Sequence, residues 1–212
     1  MPKRTYTEIV IPEIVHKAIA LATQLGFPLM PEGRQPGYQG PPSACIPQVG
    51  RLLQVLASGK PGGRIAEQGT GAGVGTAWLA SGLAGSATLL SVDINSRCAE
   101  AVAELFRDEP RVTIYTGDWH TVMRRSEPYD LLFMDATPRA DLAYENWDAV
   151  TELVAVGGQI VMDDLTPVAL WPSDWDNTVD YKREFAFENP RVVGTEVLTT
   201  PTTAALIVTR IR

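Results

Sequence analysis

The chain has 212 residues, 45% hydrophobic and 20% charged, which excludes a wholly disordered or collagen-like polymer. A chain of this length buries roughly 70% of its extended surface on folding, enough for a core without metal or disulfide staples. Acids outnumber bases by 25 to 18, a net charge of −7, so nucleic acid is a disfavoured partner on electrostatic grounds.

Two cysteines, Cys45 and Cys98, make no disulfide framework and read as reduced thiols. No secretory h-region and no 18-residue apolar run is visible. We therefore expect one soluble, cytoplasmic domain over 1–212, with no membrane partner.

Taken in chain order, apolar residues from Ile14 to Leu25 recur at helical spacing and predict a helix over Pro12–Leu25. Gly26–Pro42 carries five prolines and four glycines and reads as a loop or lid, with Arg34 and Tyr38 as candidate acceptor contacts. A second helix is expected at Ala44–Ala57. Residues 1–60 thus form an N-terminal helical elaboration, and 63–212 form the core domain.

After Gly63 the pattern alternates. Strands are expected at Arg64–Gln68, Ala87–Asp93, Val112–Thr116, Tyr129–Asp135 and Gln159–Asp163. Helices are expected between them at Gly75–Ser81, Ser96–Asp108, Trp119–Arg125 and Asp141–Val154. Short apolar, β-branched strands in this rhythm predict a Rossmann-like, doubly wound α/β sheet covered on both faces. The segment Glu196–Arg210 reads as two strands turning at Pro201, which adds an antiparallel last strand and makes the sheet mixed.

Chemistry concentrates at the strand ends. Glu67-Gln-Gly69-Thr-Gly71-Ala-Gly73-Val-Gly75 follows the first strand, where open α/β sheets bind ligands. Neither frame of the glycines fits the dinucleotide pattern GxGxxG, which argues against a nicotinamide cofactor. The second strand ends on Asp93, whose carboxylate can accept both hydroxyls of a ribose. Asp118-Trp119 follows the third and offers an acceptor plus an aromatic face.

These motifs resemble the class I S-adenosylmethionine-dependent methyltransferases, whose loop reads E/D-x-G-x-G-x-G and whose seven-stranded sheet ends antiparallel. The resemblance implies that Gly69, Gly71 and Gly73 line the methionine part of the cofactor, with Glu67 beneath. It places Asp93 and Ile94 at the ribose, Asp118 and Trp119 at the adenine, and Asp135 beside the reacting end.

Asp135 closes the fourth strand and Asp163-Asp164 the fifth. Adjacent strands lie about 4.8 Å apart, so Asp135 and Asp163 can converge. Side chains alternate along a strand, so Asp164 could join them only where the chain leaves it. Three carboxylates together call for a cation, and oxygen-only ligation selects Mg²⁺, Mn²⁺ or Ca²⁺. The alternative is that Asp135 orients cofactor or acceptor while Asp163 and Asp164 cap a turn.

Tyr129-Asp-Leu-Leu-Phe-Met-Asp135-Ala and Gly157-Gly-Gln-Ile-Val-Met-Asp163-Asp164 are similar to segments of the catechol and caffeoyl-CoA O-methyltransferases. That similarity implies metal ligation by Asp135, Asp163 and Asp164, a catalytic part for Asp135, a small aromatic hydroxyl acceptor and a homodimer. The sequence departs from the pattern at three places. Asp164 stands for Asn, Pro138 for a basic Lys, and Gly75 for Ser. The general base is thus unassigned, and a metal-independent O- or N-methyltransferase or a tRNA methyltransferase are the alternative readings.

Trp171 and Trp175 either cover the acceptor or pack their own loop. Trp147 and Tyr144 read as core, His16 as structural or a dimer contact, and His120 as a contact rather than a base.

Overall fold

In a computed structural model the described residues are 9–30, 33, 40–125, 128–135, 147–175 and 179–212. Seven strands form one sheet in the order β3-β2-β1-β4-β5-β7-β6. They are β1 (Arg64–Gln68), β2 (Thr88–Asp93), β3 (Val112–Thr116), β4 (Tyr129–Met134), β5 (Val154–Leu165), β6 (Val192–Leu198) and β7 (Ala204–Arg210). β7 alone runs against its neighbours, being antiparallel to both β5 and β6.

Among the described residues seven α-helices accompany them: α1 (Glu13–Leu25), α2 (Pro47–Ser58), α3 (Val74–Ser81), α4 (Ser96–Leu105), α5 (Trp119–Met123), α6 (Trp147–Glu152) and α7 (Tyr181–Glu188). The sheet separates two cores. Ile65, Leu131, Phe133 and Val161 meet α1–α4, whereas Ala66, Leu132, Ile160 and Met162 meet α5–α7 and the terminal hairpin. This odd–even division of consecutive strand residues is the pleat, and it explains why the central strands read as unbroken apolar runs.

The chain order and the doubly wound mixed sheet agree with expectation; several boundaries do not. β5 is far longer than Gln159–Asp163, because Val154 already pairs with Tyr129 before a register shift resumes pairing at Leu131 with Gln159. α4 stops at Leu105 and α5 at Met123, short of Asp108 and Arg125. β6 begins at Val192, earlier than Glu196.

α7 was not expected at all. Its polar sequence YKREFAFE buries Phe185 and Ala186 against the sheet, so tertiary packing rather than a sequence pattern makes it a helix. Arg34, Tyr38, Pro138, Tyr144 and the 141–146 part of the expected sixth helix lie outside the described residues. No described helix is long and apolar enough to cross a membrane.

Candidate active site

The site lies at the carboxyl edge of β1, β2, β4 and β5. At the tip of β1, Glu67 is fully buried. Ser91 and Thr76 both donate to its Oε2, at 2.6 Å from Ser91, and Thr70 bonds Ser91 at 2.6 Å. The other carboxyl oxygen, Oε1, has no hydrogen-bond partner among the described residues. Burial raises the Glu67 pKa to about 8, against the two hydroxyl donors, which lower it. Asp93 and Asp163 raise it further. Burial thus favours the protonated, neutral form of Glu67.

Gly75 explains where Oε1 points. A Cβ on Gly75 would fall 2.5 Å from Glu67 Oε1 and 3.1 Å from Phe133, so no larger residue fits without displacing the acid. Gly75 itself lines the main cavity. The Ser expected in the resembling family is thus excluded here by the position of the Glu67 carboxyl.

The glycine loop is anchored from β2. Asp93 Oδ2 accepts the Gly71 amide at 2.7 Å, and Oδ1 accepts the Asn95 amide at 2.8 Å. Gly71 and Gly73 take φ values of 50° and 80°, and a Cβ on Gly73 would strike Val102 of α4 at 2.8 Å. Backbone thereby closes tightly over the α3 amino terminus, leaving room for a ligand above.

That room is a cavity of about 280 Å³, lined by Gly69, Gly71, Gly75, Asp93 and Asp135 among others. Its opposite wall comes from the N-terminal segment, through Phe27 and Pro42–Cys45. Gly26 caps α1 in a left-handed turn, with the Phe27 amide bonded to Ala22, and this turn lays the Phe27 ring against Gly71. The Ala44 amide bonds the Pro28 carbonyl at 3.0 Å and fixes the returning strand of this wall. Sequence reasoning missed Phe27, Cys45, Asn95 and Cys98, which line the cavity too. Phe27 and Cys45 lie in a segment remote in sequence from the glycines, whereas Asn95 and Cys98 closely follow Asp93 at the second strand tip.

Asp118 is exposed and accepts the His120 amide as the cap of α5, while Trp119 is half-buried and stacks on the His120 ring at 3.6 Å. Ile94 is 79% exposed. Asp118, Trp119 and Ile94 stand at the β2–β3 end of the edge and are not among the described residues lining this cavity, although Asp93 and Asn95 on either side of Ile94 are. Burial lowers the His120 pKa, with Asp118 opposing.

The three acids do meet. One oxygen from each of Asp135, Asp163 and Asp164 lies within 4.8 Å of the others, with Asp163 buried and Asp164 exposed. The reason differs from the expected exit of the chain. β5 continues to Leu165, but its pairing with β7 jumps from Met162↔Leu206 to Leu165↔Ala204. Asp163 and Asp164 therefore face the single residue Ala205, the count of a β-bulge.

Asp164 adopts φ 60°, and Met162 and Leu165 both pack in the α5–α7 core, which strict alternation would forbid. The bulge turns two successive acids to one side. Asp135 lines the main cavity and also the narrow cleft it shares with Asp163, Asp164, Thr199 and Thr203, so the triad joins the main cavity at Asp135.

Cys45 lies between these two spaces. Burial, then Asp163, Asp135, Glu67 and Asp164, push its thiol well above the ordinary range, so it stays protonated. Trp171 donates its Nε1 to the Thr166 carbonyl at 3.0 Å, meets Trp175 edge-on at 6.2 Å and lies under Arg183. These rings pack their own loop. Trp147 stacks on Phe185 at 4.3 Å, as core.

The donor set fits the groups that the sequence implies. Glu67 is not among the described residues lining the cavity and would act on a cationic cofactor from behind Gly75, whereas three clustered carboxylates suit a hard divalent cation.

Residues 66–165 match a family described as a methyltransferase domain. A candidate O-methyltransferase of Mycobacterium ulcerans is 34% identical over 127 residues. That match covers 56% of this chain and 55% of the relative, so the chain spans about half the length of the curated relatives it matches.

Among solved structures, the O-methyltransferase TomG of Streptomyces achromogenes, in complex with SAM, superposes with a TM-score of 0.72 at 21% identity. It covers 96% of this chain and 92% of its own. An O-methyltransferase of Bacillus cereus in complex with SAH gives 0.70 at 20% identity, covering 95% and 92%. Residues 66–165 are thus similar to a methyltransferase domain, and the chain shares the fold of these O-methyltransferases.

Proposed function

We propose that this protein is an S-adenosylmethionine-dependent O-methyltransferase acting on a small, catechol-like acceptor with the aid of a divalent cation. The observation that carries this reading is Asp135, which borders the cofactor cavity and belongs to the acid triad.

S-adenosylmethionine, when bound, supplies an electrophilic methyl on a sulfonium. Gly69 and Gly71 bring backbone close to it, Phe27 and Cys45 exclude water from above, and Glu67 offers a carboxyl able to ionise beside a cation. Asp93 faces the cavity with one lone pair on each oxygen free after its two amide bonds, which suits a ribose diol.

Asp135, Asp163 and Asp164 would hold a divalent ion, which would supply Lewis-acid activation of the acceptor hydroxyl and a template for vicinal oxygens. The chain then contributes orientation, holding nucleophile and methyl on one line with water excluded.

Calorimetric titration tests the cofactor half. S-adenosylhomocysteine is expected to bind and NADH not to, and the reverse result would overturn the reading. Asp135→Ala and Asp163→Ala test the metal half. Each should lower turnover with a catechol acceptor by at least about tenfold, in line with losing a direct metal ligand. Unchanged turnover, or full turnover in EDTA, would instead favour the metal-independent alternative suggested by Pro138.

A further inference from the structure

The bulge that brings Asp163 and Asp164 together is strained, since a left-handed φ of 60° is unfavourable for any residue with a Cβ, though least so for Asp and Asn. Two bonds from the unexpected helix α7 grip the chain on either side of it. Lys182 Nζ donates to the Asp163 carbonyl at 3.0 Å, and Arg183 Nη2 donates to the Thr166 carbonyl at 2.9 Å.

Arg183 is itself immobilised. It is 8% exposed, bonds Glu196 at 2.7 Å and Asp180, and lies 5.5 Å over the Trp171 ring. Lys182 is half-buried and reaches from the adjacent position of the same helix turn.

We propose that Lys182 is a positioning residue for the acid triad, holding the bulged backbone so that Asp163 and Asp164 converge on Asp135. The inference deepens the metal-assisted reading above and rests on it for its functional consequence. A lysine at this place has two effects of opposite sign on a cation. Its charge opposes cation binding, whereas its hydrogen bond preserves the ligand geometry. The bond goes to a carbonyl and not to a carboxylate, so geometry dominates. Outer partners of metal ligands act in this way generally, by fixing orientation.

The test uses the whole protein, with Mn²⁺ as the probe, read by electron paramagnetic resonance or calorimetry. Lys182→Met should weaken Mn²⁺ binding by about ten- to a hundredfold. Lys182→Arg should restore it to within a few-fold, because a donor of similar reach returns. Affinity for S-adenosylhomocysteine should be the same in all three proteins, which a general loss of structure would not allow. Amide exchange over residues 162–166 should quicken in Lys182→Met and recover in Lys182→Arg.

Mn²⁺ affinity that is unchanged or tighter in Lys182→Met overturns the proposal. If the parent protein binds no Mn²⁺, the metal reading falls on its own, and Lys182 is judged by exchange alone. Unchanged exchange at 162–166 then overturns it, and faster exchange rescued by arginine supports it. Should Lys182→Met lose S-adenosylhomocysteine binding, Lys182→Gln carries the same expectations.

Discussion

Gly75 and Glu67 form a matched pair. Because a Cβ at 75 would sit 2.5 Å from Glu67 Oε1, Gly75→Ser must displace a buried acid or the Phe133 ring. The expected cost is about 1–3 kcal/mol in unfolding free energy, the range for overpacking a filled core. Chemical denaturation measures it, and a Gly75→Ser protein as stable as its parent would contradict the placement.

Glu67 also makes a pH prediction. Its folded pKa, about 8, lies above the ordinary value of 4.5, so the native state holds a proton that the unfolded chain has released. The associated stability is whole below about pH 4.5, declines as pH rises and is lost once pH passes about 8. Glu67→Gln keeps a neutral side chain at every pH. Its melting temperature relative to the parent should therefore climb between pH 5 and 8, whereas a parallel pair of curves would refute a neutral buried Glu67.

At the scale of elements, the clearest case is the join between α7 and β6. Arg183 is buried between Asp180 and Glu196, each 22% exposed, so Arg183→Met leaves two partly buried carboxylates without their partner. Breaking a buried pair costs about 3–5 kcal/mol, and the partial exposure here points to the lower end. The loss should appear as a lower denaturation midpoint together with altered Trp171 fluorescence, since the guanidinium rests on that ring. Unchanged stability would mean that the ion pairs contribute nothing.

The same element marks the limit of sequence reading. β1, β2 and β4 are legible because parallel strands buried on both faces must be short apolar runs. α7 is illegible because only Phe185 and Ala186 define its apolar side, and an eight-residue helix owes its existence to what it packs against. The β5 bulge could not be seen either, because it exists only in the register with β7.

The glycine loop and the acids at the strand tips were readable, since they are defined by residue type at a fixed place in a βα unit. Phe27 and Cys45 were not, because their place opposite the loop depends on how the N-terminal helices fold back.

Across the whole molecule, the excess of seven acids is unevenly placed. Glu67, Asp93, Asp118, Asp135, Asp163 and Asp164 all stand at the carboxyl ends of five strands of one sheet. Folding gathers carboxylates that would separate in the open chain. Part of the resulting cost is met by holding Glu67 neutral.

A cationic occupant should relieve this repulsion and stabilise the fold by mass action. Mg²⁺ and S-adenosylmethionine are therefore each expected to raise the melting temperature, and a lowered one would count against both sites.

The central claim is methyl transfer to a phenolic hydroxyl at a metal-bearing acid triad. It is tested most directly by incubating the protein with S-adenosylmethionine and a panel of catechol and mono-phenol acceptors, with Mg²⁺ or with EDTA, and following methylated product by mass. Vicinal diols are expected to be methylated in Mg²⁺, mono-phenols little, and product to be lost in EDTA. Methylation of mono-phenols and diols alike, undiminished by EDTA, would contradict it.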